Sequence, residues 1–200
     1  VPETIILADG DFPSHPLALE WLRQCPYVVC CDGAANTYIR SGRMPEAIVG
    51  DGDSLLPDIK ERYASLIHSE AEQETNDLSK AFRFCLSQER KRITIMGATG
   101  KREDHTIGNV SLLADYMEQA EVSMMTDYGI FVPIREDSMF ESYIGQQISV
   151  FNMNSTALSA EGLAYPLSVF TNWWQGTLNE ALARHFIIRT EGKVLVFRVF

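Results

Sequence analysis

The sequence predicts an α/β fold with a mostly parallel sheet in its first part and an all-β second part. Short apolar runs alternate with stretches of helical spacing up to about residue 125, which is typical of a parallel sheet with helices on its faces. From about Phe131 the apolar runs become short, rich in β-forming residues and separated by Gly, Asn and Ser. This texture predicts a sandwich or a roll. We therefore expect one domain over residues 1–130 and a second over residues 131–200.

The first domain is predicted to contain six strands with helices between them. The strands are placed at Thr4–Ala8, Tyr27–Cys31, Ala47–Gly50, Ser65–Ser69, Arg92–Met96 and Glu121–Met125. Three helices are placed at Pro16–Gln24, Ala34–Arg40 and Pro57–Tyr63, the first with a proline suited to its first turn. A fourth helix shares one apolar face among Leu78, Ala81, Phe82 and Cys85. A fifth, after Gly100, is expected to turn Ile107, Val110, Leu112 and Leu113 inward.

The second domain is predicted to contain only strands and turns. Its strands are placed at Gln147–Phe151, Leu167–Phe170, Phe186–Thr190 and Val194–Phe200. A short turn is expected near Asn179–Ala183.

Composition excludes several classes of protein. The chain has 200 residues and 46% apolar residues, enough for a packed core. Its formal net charge of -10 disfavours nucleic acid and anionic membranes as partners, and no apolar run approaches the roughly 20 residues of a membrane span. The segment Val1–Asp9 lacks the basic leader of a signal peptide. The four cysteines lack zinc-site spacing, and we expect free thiols in a reducing cytoplasm.

Aspartates follow most of the predicted strands at the end where parallel sheets bind ligands. Asp32 follows the second strand, and Asp51-Gly52-Asp53 follows the third. Asp77 and Asp104 each open the helix that follows a strand, and Asp9 and Asp11 follow the first strand. Because the carboxyl ends of parallel strands meet at one rim, we expect these carboxylates to lie close together.

Magnesium would make such crowding of carboxylates tolerable. Like charges raise one another's pKa, and Mg²⁺ prefers a few carboxylates together with substrate phosphates. Asp51 and Asp53 suit one ion, because alternate residues of an extended turn can point to it. For any single aspartate, however, a turn or helix-cap role is as good an interpretation.

Two further segments suggest ligand contacts. Gly97 to Arg102 follows a strand and opens a helix, so its amides can cradle an anion, while the arginine can grip phosphate oxygens in a bidentate way. The segment lacks Walker-loop spacing, and glycines in such turns are often only structural. Next to it, His105 is more readily a capping or hydrogen-bonding group than a general base. Trp173 and Trp174 can stack on a flat cationic heterocycle or can be core or interface aromatics.

At these residues the chain resembles the thiamine pyrophosphokinase family. The resemblance runs in order over nearly the whole chain, and its segments together are highly specific although each alone is only moderately so. The segments are Cys31–Asn36, Val49–Ser54, Gln73–Lys80, Gly97–His105, Gly162–Leu167 and Gly176–Asn179.

The resemblance implies a Rossmann-like half, a β-sandwich half and a homodimer with active sites shared between subunits. It implies transfer of a pyrophosphoryl group from ATP to the hydroxyl of thiamine, giving thiamine diphosphate and AMP. The metal and phosphate residues would be Asp51, Asp53 and Asp77. The nucleotide side would add Asp32, Asn36, Thr99, Gly100, Arg102, Asp104 and His105, of which Arg102 and Asp104 are also assigned to catalysis. The thiamine side would consist of Gln73, Tyr165, Thr177 and Asn179, with the last three reaching across the dimer.

Three residues depart from the family pattern. Gly52 stands where many members have a bulky apolar residue, Asn76 replaces a frequent threonine, and Leu178 replaces a frequent serine.

Three other functions stay open. The alternatives are a magnesium-dependent phosphohydrolase, a nucleotide-sugar transferase and a non-enzymatic module that binds thiamine or a nucleotide. The ordered motifs favour the kinase.

Overall fold

The computed structural model describes residues 1–70 and 72–200, which form two compact units. The α/β unit contains residues 1–112 and 119–127, and the β unit contains residues 113–118 and 128–200. Within the described residues, no helix combines the length and apolar character that crossing a membrane requires.

The α/β unit contains a six-stranded parallel sheet. Its strands are β1 Thr4–Leu7, β2 Val28–Cys31, β3 Ala47–Val49, β4 Ile67–His68, β5 Arg92–Met96 and β6 Glu121–Met125. The order across the sheet is β6-β5-β1-β2-β3-β4, and all these neighbours are parallel. Every residue of β1, β2 and β3 is buried, the continuous apolar pattern expected of a strand covered on both faces. The predicted α/β class is confirmed.

Within the described residues, five α-helices connect or follow these strands. They are α1 Pro16–Gln24, α2 Ala34–Arg40, α3 Pro57–Arg62, α4 Asp77–Ser87 and α5 Glu103–Tyr116. A 3₁₀ turn at Ala64–Leu66 precedes β4. The expectation that Ile107 points inward is wrong, because 56% of it is exposed while Leu113 is fully buried. The two are six residues apart and therefore point about 120° apart around an α-helix.

The β unit is a sandwich of two antiparallel sheets. One sheet has the order β11-β9-β13-β7, from Asn179–Glu180, Gln147–Asn152, Val194–Val199 and Gly129–Ile134. The other has the order β10-β12-β8, from Leu158–Glu161, His185–Thr190 and Ser138–Glu141. Val150 and Val196 of the first sheet and Phe186 and Ile188 of the second belong to one buried cluster. The predicted sandwich is thereby confirmed.

Several predicted elements of the β unit are wrong. Leu167–Phe170 is not a strand but irregular chain, and its Phe170 carbonyl accepts a hydrogen bond from the Asn152 side chain instead of from the backbone of a neighbouring strand. The turn expected near Asn179–Ala183 begins as strand β11. A 3₁₀ helix at Trp173–Gly176 was not foreseen.

Candidate functional site

The loops after β1 and β5 are joined along their backbones. Gly10 N donates to Gly97 O at 2.7 Å, and Asp11 N donates to Thr99 O at 2.9 Å. A Cβ at Gly10 would lie 2.4 Å from the carbonyl oxygens of both Gly97 and Thr99, so only glycine fits there. These contacts hold the segment from Gly97 to Arg102, which is predicted to bind an anion, against the loop that follows β1.

Asp32 lies in the turn after β2 and is only 5% exposed. Its φ of 37° is in the left-handed region, which residues other than glycine rarely adopt. Its Oδ2 accepts a hydrogen bond from Ser54 N at 3.4 Å. Its Oδ1 is buried and has no hydrogen-bond partner among the described residues. An orphaned carboxylate oxygen is costly, which indicates a position suited to a cation or a proton.

Asp51 and Asn36 shape the loop after β3. Asp51 Oδ1 accepts from Asp53 N at 2.9 Å, and the Asn36 amide donates to Ser54 O at 2.8 Å and accepts from Leu56 N at 3.0 Å. Asn36, expected on the nucleotide side, therefore uses its side chain to brace the loop that carries Asp51 and Asp53.

Gly50 allows Asp77 to approach Asp32. A Cβ at Gly50 would lie 2.9 Å from Asp32 Cβ and 3.4 Å from Asp77 Oδ2. Asp77 is the first residue of α4, whose N-cap Asn76 accepts from Ser79 N at 2.9 Å. The carboxylates of separate strand ends thus come together around one glycine.

The electrostatics of this cluster follow from burial and crowding. Burial raises the pKa of Asp32 to about 6, and the carboxylates of Asp51 and Asp77 act in the same direction against the Ser54 amide. Burial also raises the pKa of Asp77, although the Lys80 ammonium opposes it. The Asp53 amide, by contrast, lowers the pKa of Asp51.

The donor chemistry of the cluster fits a hard divalent cation, because carboxylate oxygens are its preferred ligands and Asp32 offers a buried oxygen without a partner. Across residues 1–70 and 72–200, however, no group of three His, Cys, Asp or Glu side chains is arranged to hold a metal ion. Asp53 is exposed and contacts Asp51 through its backbone amide. The metal role of Asp51, Asp53 and Asp77 therefore stays a prediction.

A cavity of about 530 Å³ adjoins the cluster and is lined by several predicted residues. Asp77, Thr99, Arg102, Asp104 and His105 are among the lining residues. The Arg102 guanidinium donates to both Asp104 carboxylate oxygens, at 3.0 and 2.6 Å, and this hydrogen bonding lowers the pKa of Asp104. This ion pair keeps the guanidinium oriented at the N-terminal end of α5.

The cavity wall also includes residues that were not assigned to metal, nucleotide or thiamine. Asp9, one of the aspartates expected at the rim, lines it, and Lys101 Nζ donates to Asp9 O at 3.1 Å. Asn109 joins two walls, because its amide donates to Ala98 O at 2.9 Å and accepts from the Asn76 side chain at 3.0 Å. Asn109 carried no sequence signal, whereas Lys101 belongs to the glycine-rich segment.

The remaining predicted residues of the α/β unit lie outside this lining. Within the described part of the chain, the cavity wall does not include Asp32, Asn36, Asp51, Asp53, Gln73 or Gly100. Gln73 is exposed on the loop before α4. A Cβ at Gly100 would lie 2.2 Å from Asp11 Oδ2, so this glycine gives close packing between loops.

The β unit has a separate depression of about 340 Å³ that Tyr165, Thr177 and Asn179 help to line. Tyr165 is 63% exposed, and the Thr177 hydroxyl donates to Trp174 O at 2.7 Å. Leu178 also lines the depression, and its side chain is 78% exposed. Its φ of 65° is a backbone conformation that is unfavourable for leucine, and little burial of the side chain offsets that cost. Trp174 is 73% exposed and is therefore not a core residue of this chain.

The sequence profiles of known families match both units. The profile described as the catalytic domain of thiamin pyrophosphokinase matches residues 18–125, and the one described as its substrate-binding domain matches residues 129–197. The chain belongs to the thiamin pyrophosphokinase family. The family that the motifs suggested is thus confirmed.

Individual relatives agree with this family membership. The chain is 30% identical to thiamine pyrophosphokinase 1 of Oryza sativa subsp. japonica over 129 residues, which is 52% of this chain and 49% of the rice protein. It is 34% identical to thiamine pyrophosphokinase of Bacillus subtilis over 86 residues, or 41% of this chain and 40% of that protein. The matches span about half the length or less of these curated relatives.

Solved structures of family members share the fold. A crystal structure of thiamine pyrophosphokinase from Bacillus subtilis superposes with a TM-score of 0.82 at 20% identity and covers 98% of both chains. The enzyme from Candida albicans gives a TM-score of 0.80 at 18% identity, covering 99% of this chain and 89% of its own. At these identities the likeness shows the arrangement of strands and helices and nothing finer.

Proposed function

We propose that this protein is a thiamine diphosphokinase, which transfers the pyrophosphoryl group of ATP to the hydroxyl of thiamine and releases AMP. The observation that carries the proposal is the pair of family matches, to a catalytic domain over residues 18–125 and a substrate-binding domain over residues 129–197. The carboxylate cluster and the adjoining cavity supply the chemistry that phosphoryl transfer needs, since such enzymes act mainly by positioning and charge neutralisation.

In this proposal the α/β unit binds ATP in the cavity of about 530 Å³. The backbone of the Gly97–Gly100 loop and the first turn of α5 favour an anion, because unpaired amide groups and the helix dipole are positive there. The Arg102 guanidinium donates hydrogen bonds to phosphate oxygens while Asp104 keeps it oriented. Thr99 and His105 contribute polar contacts.

Asp51, Asp53 and Asp77 would hold Mg²⁺, with Asp32 beside them. When bound, the ion would neutralise charge that develops on the phosphate oxygens. Of the two candidates for accepting the hydroxyl proton, Asp53 and Asp77, we favour Asp77. It lines the cavity, whereas Asp53 does not.

The reaction would be a direct in-line displacement. The thiamine hydroxyl oxygen forms a bond to the β-phosphorus of ATP as the bond from that phosphorus to the oxygen of AMP breaks. The hydroxyl proton passes to an Asp77 carboxylate oxygen, and the acidic surroundings favour the cationic thiazolium ring of the substrate.

The β unit would supply thiamine contacts through Tyr165, Thr177 and Asn179, and Gln73 would join them from the loop before α4. The family resemblance implies that these contacts are made across a homodimer, and we propose that assembly here. The described cysteines are all free, which fits a reducing cytoplasm.

The test is incubation of the purified chain with ATP, Mg²⁺ and thiamine, followed by product analysis. We expect thiamine diphosphate and AMP in equal amounts, and AMP formation should require thiamine. Release of phosphate without thiamine would favour a phosphohydrolase, and ligand binding without AMP would favour a non-enzymatic binding module.

A further inference from the structure

The α/β unit buries a lysine beside its carboxylate cluster. The side chain of Lys80 is only 8% exposed, and its Nζ lies 3.8 Å from Asp77 Oδ1. Asp77 in turn lies against Gly50, as does Asp32. The ammonium is therefore part of the cluster that we propose to bind metal and phosphate.

Burial of this lysine requires compensation. Removing an ammonium from water is unfavourable unless opposite charge is close. Lys80 also lies one turn from the N-terminal end of α4, where the helix dipole is positive and disfavours a cation. Because both burial and the helix dipole oppose the charge, the nearby carboxylate of Asp77, the first residue of the helix, is what compensates it.

We infer that Lys80 is a positioning residue whose ammonium serves as the resident counter-ion of the cluster. It holds Asp77 in place and weakens the binding of a bare divalent cation to the nucleotide-free site. The inference rests on the proposed function, because it concerns how the same site receives its metal and its nucleotide.

If the inference is right, removing the charge of Lys80 changes the affinities for a bare divalent cation and for a metal nucleotide in opposite directions. A fixed positive charge a few ångströms away repels a bare cation and attracts a polyphosphate. Removing that charge should therefore tighten binding of the bare cation and weaken binding of the metal nucleotide, each by at least about tenfold. A residue that only packed the helix would change both affinities in the same direction or neither.

The experiment compares Lys80→Met with wild type, using Mn²⁺ as the metal probe. Binding of Mn²⁺ to the nucleotide-free protein is followed by the electron paramagnetic resonance signal of free Mn²⁺. Binding of α,β-methylene-ATP with Mn²⁺ is followed by calorimetry. We expect Lys80→Met to bind Mn²⁺ at least about tenfold more tightly and the nucleotide at least about tenfold more weakly. Lys80→Arg should keep both affinities near wild type.

Two controls define the failures. Lys91→Met removes the same charge from an exposed position before β5 and should leave both affinities unchanged. Lys80→Gln keeps a donor toward Asp77 and replaces the methionine variant if circular dichroism shows that the latter is unfolded. Unchanged or weaker Mn²⁺ binding in Lys80→Met, or in Lys80→Gln where that variant replaces it, overturns the inference. A wild-type protein that binds no Mn²⁺ in either assay overturns the proposed metal role and this inference together.

Discussion

The side-chain amide of Asn179 forms two hydrogen bonds with the backbone of Tyr165, donating to its carbonyl at 2.9 Å and accepting from its N–H at 3.1 Å. Asn179 is 5% exposed, and its Oδ1 also accepts from Glu180 N at 2.9 Å. The asparagine thus holds in place a tyrosine whose ring is exposed at the depression of the β unit. Its contribution to thiamine binding would be to position Tyr165.

Replacing Asn179 with aspartate tests this role. Asn179→Asp keeps the acceptor but loses the donor to Tyr165 O and leaves a buried charge, so we expect unfolding free energy to fall by about 2 kcal/mol. The KM for thiamine should rise while the KM for ATP stays near wild type. Urea unfolding and initial-rate kinetics measure the two effects. Glu180→Gln, at the exposed neighbouring position, is the control. Equal effects in both variants would contradict the assigned role.

The close contact between Gly10 and the loop at Gly97 predicts that adding one methyl group at Gly10 lowers the unfolding free energy strongly. Gly10→Ala would place a Cβ 2.4 Å from two backbone oxygens, and we expect a loss of about 3 kcal/mol in unfolding free energy. Gly108→Ala is the matched control, because it has open space within α5 and should stabilise the helix by about 0.5–1 kcal/mol. Denaturant unfolding checks both, and a stable Gly10→Ala protein would refute the predicted steric clash.

Leu178 offers a stabilising substitution. Asparagine tolerates its positive φ better than leucine does, and the leucine side chain is largely exposed. We expect Leu178→Asn to raise the unfolding free energy by about 0.5–1 kcal/mol. Thermal and urea unfolding measure it. A loss of stability would mean that the exposed leucine makes a contact worth more than the backbone strain.

Asp127 predicts a dependence of stability on pH. Its Oδ1 accepts from Ser14 N and His15 N, both at 2.9 Å. Although burial acts in the opposite direction, these hydrogen bonds and that of the Ser14 hydroxyl lower its pKa below the ordinary 3.8. A carboxyl whose pKa is lowered on folding stabilises the fold above its unfolded pKa, and this stability is lost as pH falls through the folded pKa.

Asp127→Asn should therefore lose less stability than wild type as the pH falls below about 4, since it has no carboxylate to protonate there. Ser14→Ala removes the hydroxyl donor to Asp127 but leaves the two backbone amide donors. Its loss of stability with falling pH should lie between those of wild type and Asp127→Asn. Urea unfolding across this range measures the slopes. Identical slopes in wild type and Asp127→Asn would exclude this linkage.

The α/β fold could be predicted because local pattern and tertiary burial agree there. The strands Val28–Cys31 and Ala47–Val49 are buried on all sides, so continuous apolar runs identified them. The β unit was harder to predict. Gly129–Ile134 contains Pro133, a residue depleted in strands, and yet the strand pairs along its length with Val194–Val199.

The wrong strand at Leu167–Phe170 had the opposite cause. Its residues have high strand propensity, but side-chain hydrogen bonds such as that from Asn152 to Phe170 O hold the chain in an irregular path. Such long-range contacts leave no periodic signal.

The candidate site was predictable where function depends on strand ends and less so where it depends on side-chain partners. The aspartates after separate strands indicated a common rim, and Asp32 and Asp77 do meet at Gly50. The bracing role of Asn36 and the burial of Lys80 depend on how the loops and helices pack. Lys80 had one usable signal, its position three residues after Asp77 on a helix.

The most direct test of the carboxylate site is the turnover of Asp51→Asn with ATP, Mg²⁺ and thiamine. Asp58→Asn is the control, because it neutralises an exposed aspartate in the first turn of α3. We predict that Asp51→Asn lowers kcat by orders of magnitude with an unchanged melting temperature, while Asp58→Asn stays near wild type. Near-normal turnover of Asp51→Asn in Mg²⁺ would contradict the proposal that these strand-end carboxylates handle the metal and the phosphates.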